Sequence, residues 1–242
     1  MFVCKGGTIQ AGFIQQLHSA MARKTKEEAQ ATREGILDAA QVCFHEYGVA
    51  GTSLAMIGAR AGYTRGAVYW HFKNKTEILT AMIERERIPF IERLRRTTSS
   101  KRSTPVLDLR SALLVSFQEL AEDERLRNMM EIMLRNDLSV ESQAMQELQL
   151  EASREELGIF AAAFQRAREL GQLREGVDVD TVARIVSTSL TGVLYSAMLE
   201  PELFEIRRDG AETLDAILSA FVKPGVFTPG AAPTALPTED EA

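Results

Sequence analysis

Between Thr64 and Lys75 the chain reads TRGAVYWHFKNK, which puts three aromatic residues, one histidine and three cationic side chains into twelve positions. Thr64, Arg65, Tyr69, His71, Lys73 and Lys75 supply hydroxyl, imidazole, guanidinium and amine groups, all hydrogen-bond donors suited to the phosphates of a nucleic acid. If Thr64 caps a helix, Val68 and Phe72 fall at i and i+4 on one face and suit packing on neighbouring helices. Gly66, Ala67 and Trp70 then point broadly the other way, flanked by Tyr69 and His71. A large indole beside two small residues that let another surface come close suits a helix docking in a major groove, where its first turn reaches base edges. Trp70 also fits a second arrangement, with its ring on the first helix and its edge toward the DNA backbone. No second His or Cys lies at ligand spacing from His71, so metal binding is not expected.

The elements that position these groups sit in a chain of 242 residues with 45% hydrophobic content, enough to bury a core in one or two domains. Cys4 and Cys43 show no metal-ligand or redox spacing, which points to free thiols and a cytoplasmic location. No uninterrupted apolar run approaches the roughly 20 residues that span a bilayer, so no membrane partner is expected. The net charge of -6 conceals an asymmetry. Met21 to Arg96 carries 13 Lys and Arg against 9 acidic residues, whereas Thr97 to Ala242 carries 14 against 25, as a basic head on an acidic body would.

Helix-period apolar spacing recurs along the chain and regular strand alternation is nearly absent, which predicts an all-α fold of about nine helices. Residues 1–20 read as a disordered extension, with Met21 as the natural start. Thr25-Lys26-Glu27-Glu28 has the form of a capping box, opening a helix that buries Ile36, Ala39, Ala40, Cys43 and Phe44 and stops at Gly48. Ser53 or Thr52 caps a short helix ended by Gly62, and Thr64 caps a second, giving a helix-turn-helix from Ser53 to Phe72. Asn74-Lys75-Thr76-Glu77 resembles another capping box, opening a connecting helix over 77–96 with a bend before Pro89. After the polar stretch Thr97 to Pro105, helices are expected near 106–121, 123–136, 140–170, 179–199 and 208–222, with a break at Leu138/Ser139. The tail, 224–242, has too little apolar surface to fold. The domains so drawn are 21–76 and 77–223.

The stretch from Thr32 to Leu79, with TREGILDAA, a Phe44-to-Gly48 spacing, TSLAMIGARAGYTRGAVYWHFKNK and EIL, resembles the DNA-binding domain of TetR-family transcriptional repressors. MARKTKEEAQATR from Met21 is similar to the AcrR-like branch that represses multidrug efflux pumps. The resemblance implies a recognition helix over Arg65 to His71, a preceding helix beginning at Ser53, and backbone contacts from Tyr69 and Lys75. Arg23, Lys24 and Lys26 would form an N-terminal arm, a run that also fits a solvated surface. It further implies a C-terminal domain for ligand binding and dimerisation, no cofactor, and a near-palindromic double-stranded DNA operator.

In the body, Phe117, Met129, Met130, Met133, Phe160 and Phe164 recur at helical spacings, methionine suiting an adaptable cavity, and the resemblance implies that with Phe90 and Leu114 they line a site for small hydrophobic or aromatic inducers. Such a stripe equally suits an ordinary core. The resemblance implies a homodimer through Val186, Leu190, Val193 and Ala197, then Leu214, Ile217, Leu218 and Phe221, with two-fold symmetry setting recognition helices ~34 Å apart. The alternatives are a family member controlling a metabolic operon and a helical adaptor that binds protein through Tyr69 and Trp70. An enzyme lacks support, since His18, His45 and His71 are scattered and no GxSxG, P-loop, GxGxxG or HExxH pattern occurs.

Overall fold

The computed structural model describes the backbone of residues 7–99, 102–135 and 143–238, with side chains for 26–98, 102–133 and 146–238. Among the described residues the chain forms nine α-helices and one isolated β-bridge. They fall into two compact units, Met1–Ile78 and Leu79–Ala242.

The first unit holds α1 (Gly7–Gly51), α2 (Leu54–Ala61), α3 (Arg65–His71) and the start of α4 (Lys75–Ser99). On α1, Ile36, Leu37, Ala40, Cys43 and Phe44 form a buried stripe at the expected spacing. Gly48 breaks the helix with a φ of 71°, a conformation that costs glycine nothing, and one further turn reaches Gly51. The start differs from expectation, because α1 is already helical from Gly7 and Thr25 lies inside it. Residues 7–20, read as a disordered extension, are therefore part of this helix. A cap motif only starts a helix where the preceding residues are not helical, and Gln, Ala, Met and Arg upstream of Thr25 all favour helix.

The buried hydroxyl of Thr52 lies 2.8 Å from the Gly48 carbonyl oxygen and 3.1 Å from that of Cys43, so capping of α2 falls to Ser53, whose Oγ accepts from the Met56 amide at 3.2 Å. Gly62 ends α2 at a φ of 72°, and the Tyr63 amide donates to the Gly58 carbonyl at 2.9 Å. Gly58 also sets how closely α3 approaches, since a Cβ there would lie 3.1 Å from both the Tyr63 carbonyl oxygen and Val68 Cγ2.

The second unit contains the rest of α4, α5 (Pro105–Glu122), α6 (Glu124–Arg135), α7 (Gln143–Glu169), α8 (Val179–Leu199) and α9 (Ile206–Phe221). Helix α5 packs on α6, α7 and α9, while α8 packs on α6, α7 and α9. The core between them includes Leu94, Leu109, Phe160, Phe164, Val182, Val186 and Leu214. Helix α4 runs through Pro89 without interruption and reaches Ser99, with Thr97 and Thr98 bonding back to the Leu94 and Arg95 carbonyls. The expected break at Leu138/Ser139 lies outside the described residues. By length and composition α8 is apolar enough to cross a membrane, yet Val182, Ala183, Val186, Leu190 and Ala197 on it are buried in this core.

The tail corrects a second expectation, since residues 224–238 are folded against the unit. Val226, Phe227 and Leu236 pack on the core, the Gly230 amide donates to Asp215 Oδ2 at 2.7 Å, and the Thr234 amide donates to Ser111 Oγ at 2.9 Å. Arg102 Nη1 donates to the Ala235 carbonyl at 3.0 Å. Three scattered apolar residues suffice because polar groups on α5 and α9 satisfy the backbone between them.

Candidate nucleic-acid interface

Helix α3 and its C-cap Phe72 present two chemically different faces. Val68 and Phe72 are buried, whereas Tyr69 and Trp70 remain 45% and 74% exposed. Such exposure for the chain's one tryptophan removes the arrangement in which its ring packs on α1. The His71 imidazole instead meets the indole edge-on, with ring centroids 4.5 Å apart.

The starts of α3 and of α4 are each fixed by a side chain the sequence identifies. Thr64 Oγ1 accepts from the Ala67 amide at 3.2 Å, opening the helix with the Arg65 side chain exposed. At the start of α4 Asn74 Oδ1 accepts from the Glu77 amide at 2.8 Å, and the Glu77 carboxylate accepts from the Lys73 amide at 2.8 Å. This is the expected reciprocal cap displaced by one residue.

The Arg65 guanidinium lies 5.2 Å from the Tyr69 ring centroid, and Arg65 Nη2 donates to Tyr69 Oη at 3.3 Å. One turn of helix thus carries a cation and a phenol as a unit on the exposed face. A Cβ on Gly66 would meet only Thr64 Oγ1, at 3.8 Å, so the space in front of this position is open. Ala67 is half-buried, Lys73 is exposed, and Ser53 stands exposed at the start of α2. Burial, then the positive charge of Arg33, pushes the His71 imidazole below its ordinary range, so it is neutral at pH 7 and presents one donor rather than two.

Lys75 is placed differently from the rest. Its ammonium donates to the Val49 carbonyl at 2.7 Å and lies 3.3 Å from that of Ala50. Arg33, which sequence reading did not single out, lies 5.2 Å from the centroid of the Phe72 ring. Arg60 makes a two-pronged bond to Glu46, at 2.7 and 2.8 Å, tying α2 to α1. Neither contact has a local signal, because each joins elements whose register is set by tertiary packing.

The expected sensor residues all lie in the second unit. Phe117, Met129, Phe160 and Phe164 are buried, while Phe90, Leu114, Met130 and Met133 are half-buried. Helix α9 approaches so closely that a Cβ on Gly210 would lie 2.8 Å from the Phe117 ring. The polar pairs of this unit were not legible. Arg110 and Asp215 form a buried ion pair, with Nε–Oδ1 2.6 Å and Nη2–Oδ2 2.9 Å, and Ser187 Oγ donates to Glu156 Oε1 at 3.1 Å.

The expected dimer residues differ in how far their own chain covers them. Val186, Leu190, Ala197, Leu214 and Leu218 are buried within their own chain, and only Val193, Ile217 and Phe221 retain partial exposure. Periodicity finds the apolar stripe of a helix without saying which neighbour covers it. The large apolar residues left open on and after α8 are Tyr195, Leu199, Leu203 and Phe204.

Comparison with known proteins agrees with this division. Residues 36–82 match the model for bacterial regulatory proteins of the tetR family, and residues 104–223 match the C-terminal region of MAATS-type transcriptional repressors. The chain is 34% identical over 200 residues to the HTH-type transcriptional regulator TtgR of Pseudomonas putida, covering 81% of this chain and 93% of that protein. Among solved structures it is similar to SmeT, the repressor of the Stenotrophomonas maltophilia multidrug efflux pump SmeDEF, with a TM-score of 0.79 and 56% identity over 86% of this chain and 99% of that one. The complex of SmeT with triclosan gives a TM-score of 0.82 at 57% identity, covering 86% of this chain and all of that one. With a capped helix-turn-helix in its first unit, a helical second unit and relatives that match over most of their length, the chain belongs to the tetR family of bacterial regulatory proteins.

Proposed function

We propose that this chain is a ligand-responsive repressor of a multidrug efflux pump operon, acting as a cytoplasmic homodimer on a near-palindromic double-stranded operator. The observation that carries the DNA-binding part is the outward face of α3, where Arg65, Gly66, Tyr69 and Trp70 stand uncovered while Val68 and Phe72 anchor the helix from behind. Arg65 reads base edges, Tyr69, His71, Lys73 and Thr64 hold phosphates, and Ser53 brings the start of α2 to the backbone. Trp70, with Gly66 and Ala67, makes close apolar contact in the groove. Lys75 supports this surface from behind by holding the end of α1.

The efflux-pump assignment is supported by the likeness to SmeT, and the inducer class by that protein's complex with triclosan. A small hydrophobic compound binding among Phe117, Phe160, Phe164 and their neighbours favours an arrangement with lower operator affinity, and α4, which is shared by the two units, transmits the change. Two copies join through the open apolar side chains of α8, with Tyr195 and Leu199 beside the half-buried Val193, Ile217 and Phe221.

Fluorescence anisotropy on duplexes tiling the DNA upstream of the protein's own gene tests the reading. One duplex is expected to bind tightly, with affinity falling steeply as salt rises and triclosan releasing it. Affinity that is equal for all duplexes, or unaltered by triclosan at saturating occupancy, would count against it.

A further inference from the structure

From Pro105 to Leu113 every residue of α5 except Leu107 is buried, although Asp108, Arg110 and Ser111 are polar. A helix sealed on all sides by its own core is ordinarily apolar all round. Each of these three polar groups instead leads to the chain that follows α9. Ser111 Oγ accepts from the Thr234 amide at 2.9 Å. Arg110 is paired with Asp215, whose Oδ2 also accepts from the Gly230 amide at 2.7 Å. Asp108 Oδ1 lies 3.6 Å from Arg102 Nη1, and that nitrogen donates to the Ala235 carbonyl at 3.0 Å. Residues 224–238 are thus laid over a polar surface of α5, with Val226, Phe227 and Leu236 packed on the core.

The same segment grips the connection between α4 and α5 from both of its ends. Near its tip, the Ala235 carbonyl holds Arg102. At its root, the Lys223 amide donates to the Gln172 carbonyl at 2.8 Å, and Gln172 Nε2 donates to the Ser103 carbonyl at 2.7 Å. Arg102 and Ser103 are adjacent and lie just beyond the end of α4 at Ser99. The anchors are hydrogen bonds that water can replace, and Asp215 keeps its Arg110 partner without Gly230. Lifting the segment therefore leaves α5 with a face suited to water. Pro224, Pro229, Pro233 and Pro237 fix φ at four of its positions, which reduces the entropy lost when it docks again.

We infer that residues 224–238 are a strap that opposes the inducer, holding the α4–α5 connection in the operator-binding arrangement until ligand displaces α4 and breaks the bond from Arg102 to Ala235. A bond made in one arrangement and absent from the other biases the equilibrium between them, and the ligand must overcome that bias before release. The bond is stronger than a neutral one because its donor is a guanidinium. The strap thus sets the inducer concentration at which the repressor lets go. This inference rests on the ligand-responsive reading above, with α4 as transmitter, and adds the element that fixes its threshold.

The test follows release of the operator duplex by triclosan, read by anisotropy, for wild type, a chain ending at Lys223, and Arg102→Met. Arg102→Met keeps an unbranched apolar stem and leaves the other anchors of the strap in place, so it decides the matter if the shortened chain does not fold. Both variants are expected to release the duplex at a triclosan concentration lower by about threefold or more, and to bind the duplex more weakly without ligand. Melting temperature is measured in parallel. An unchanged or higher release concentration in either variant that folds overturns the strap. Lower thermal stability with release unaltered does so too, by making residues 224–238 a structural element only. Wild type that binds triclosan without releasing the duplex sinks the ligand-responsive reading itself, whereas wild-type release with unshifted variants sinks this inference alone.

Discussion

The ammonium of Lys75, at the start of α4, donates to the backbone carbonyl of Val49, at the end of α1, across 2.7 Å. A cation there satisfies carbonyls that a helix C-terminus leaves without amide partners and meets the negative end of its dipole. The contact closes the first unit on itself, because α2 and α3 lie between these positions in the chain. Lys75→Ala is therefore expected to lower the thermal stability of the first unit by roughly 0.5–1 kcal/mol. It should leave the dependence of operator affinity on salt unchanged. A salt slope smaller by about one would instead place Lys75 on a phosphate.

Two glycines, Gly58 and Gly66, should separate folding from recognition. Gly58→Ala puts a Cβ 3.1 Å from a backbone oxygen and a buried Val68 methyl, and overpacking of this kind costs about 1–3 kcal/mol. The variant should melt lower and bind operator less well because α3 is displaced. Gly66→Ala meets open space and improves helix propensity by up to about 1 kcal/mol, so its melting temperature should hold or rise. Its operator affinity should still fall, because the methyl group occupies the approach to the groove. Melting curves and anisotropy on both variants decide the matter, and tight operator binding by Gly66→Ala would move the DNA surface elsewhere.

What was legible in the sequence follows the range of the interactions. Ser53, Thr64 and Asn74 were readable as caps because each oxygen reaches an amide three residues on, well within a local pattern. The exposed face of α3 was readable because Val68 and Phe72 fix which side is inward. Thr25 misled because its motif is local while helix initiation depends on what precedes it. The folded tail was hidden because its bonds join Ser111 to Thr234 and Arg102 to Ala235, over 123 and 133 residues. Leu214 and Leu218 were assigned to a partner because an apolar stripe is the same pattern whether its own chain or another covers it.

Arg65 and Tyr69 act as a pair on the outer face, so their substitutions should differ in kind. Tyr69→Phe keeps the ring under the guanidinium and removes only the hydroxyl, and should weaken all DNA sequences alike by roughly 1 kcal/mol. Arg65→Ala should cost about 1–3 kcal/mol on the operator and flatten the preference among base substitutions at one position of each half-site. Competition binding with a set of single-base operator variants reads both effects. A flattened preference in Tyr69→Phe with a normal one in Arg65→Ala would exchange their roles.

Arg110 and Asp215 should govern the acid limit of the second unit. Burial alone raises the Asp215 carboxyl, but the hydrogen bonds from Arg110 and the Gly230 amide, with the Arg110 charge, together hold it below the usual range. A folded value below the unfolded one, about 3.9, means the stabilisation is fully present above that pH and disappears as pH falls through the lower folded value. Wild type should therefore lose stability steeply below about pH 4. Asp215→Asn leaves the Arg110 guanidinium buried opposite a neutral amide, which costs about 3–5 kcal/mol at pH 7, and it should lose correspondingly less on going from pH 5 to pH 3. Because Gly230 bonds to the same carboxylate, the variant should also release residues 224–238 to limited proteolysis by chymotrypsin at Phe227, which packs on the core in wild type. Replacing both partners, as Arg110→Met with Asp215→Leu, should recover most of the lost stability, since no charge then remains buried. Urea denaturation at pH 7, 5 and 3 followed by circular dichroism checks all three. If wild type and Asp215→Asn lose stability in parallel from pH 5 to pH 3, the acid sensitivity belongs to other carboxylates, and the ion pair serves only to hold the tail.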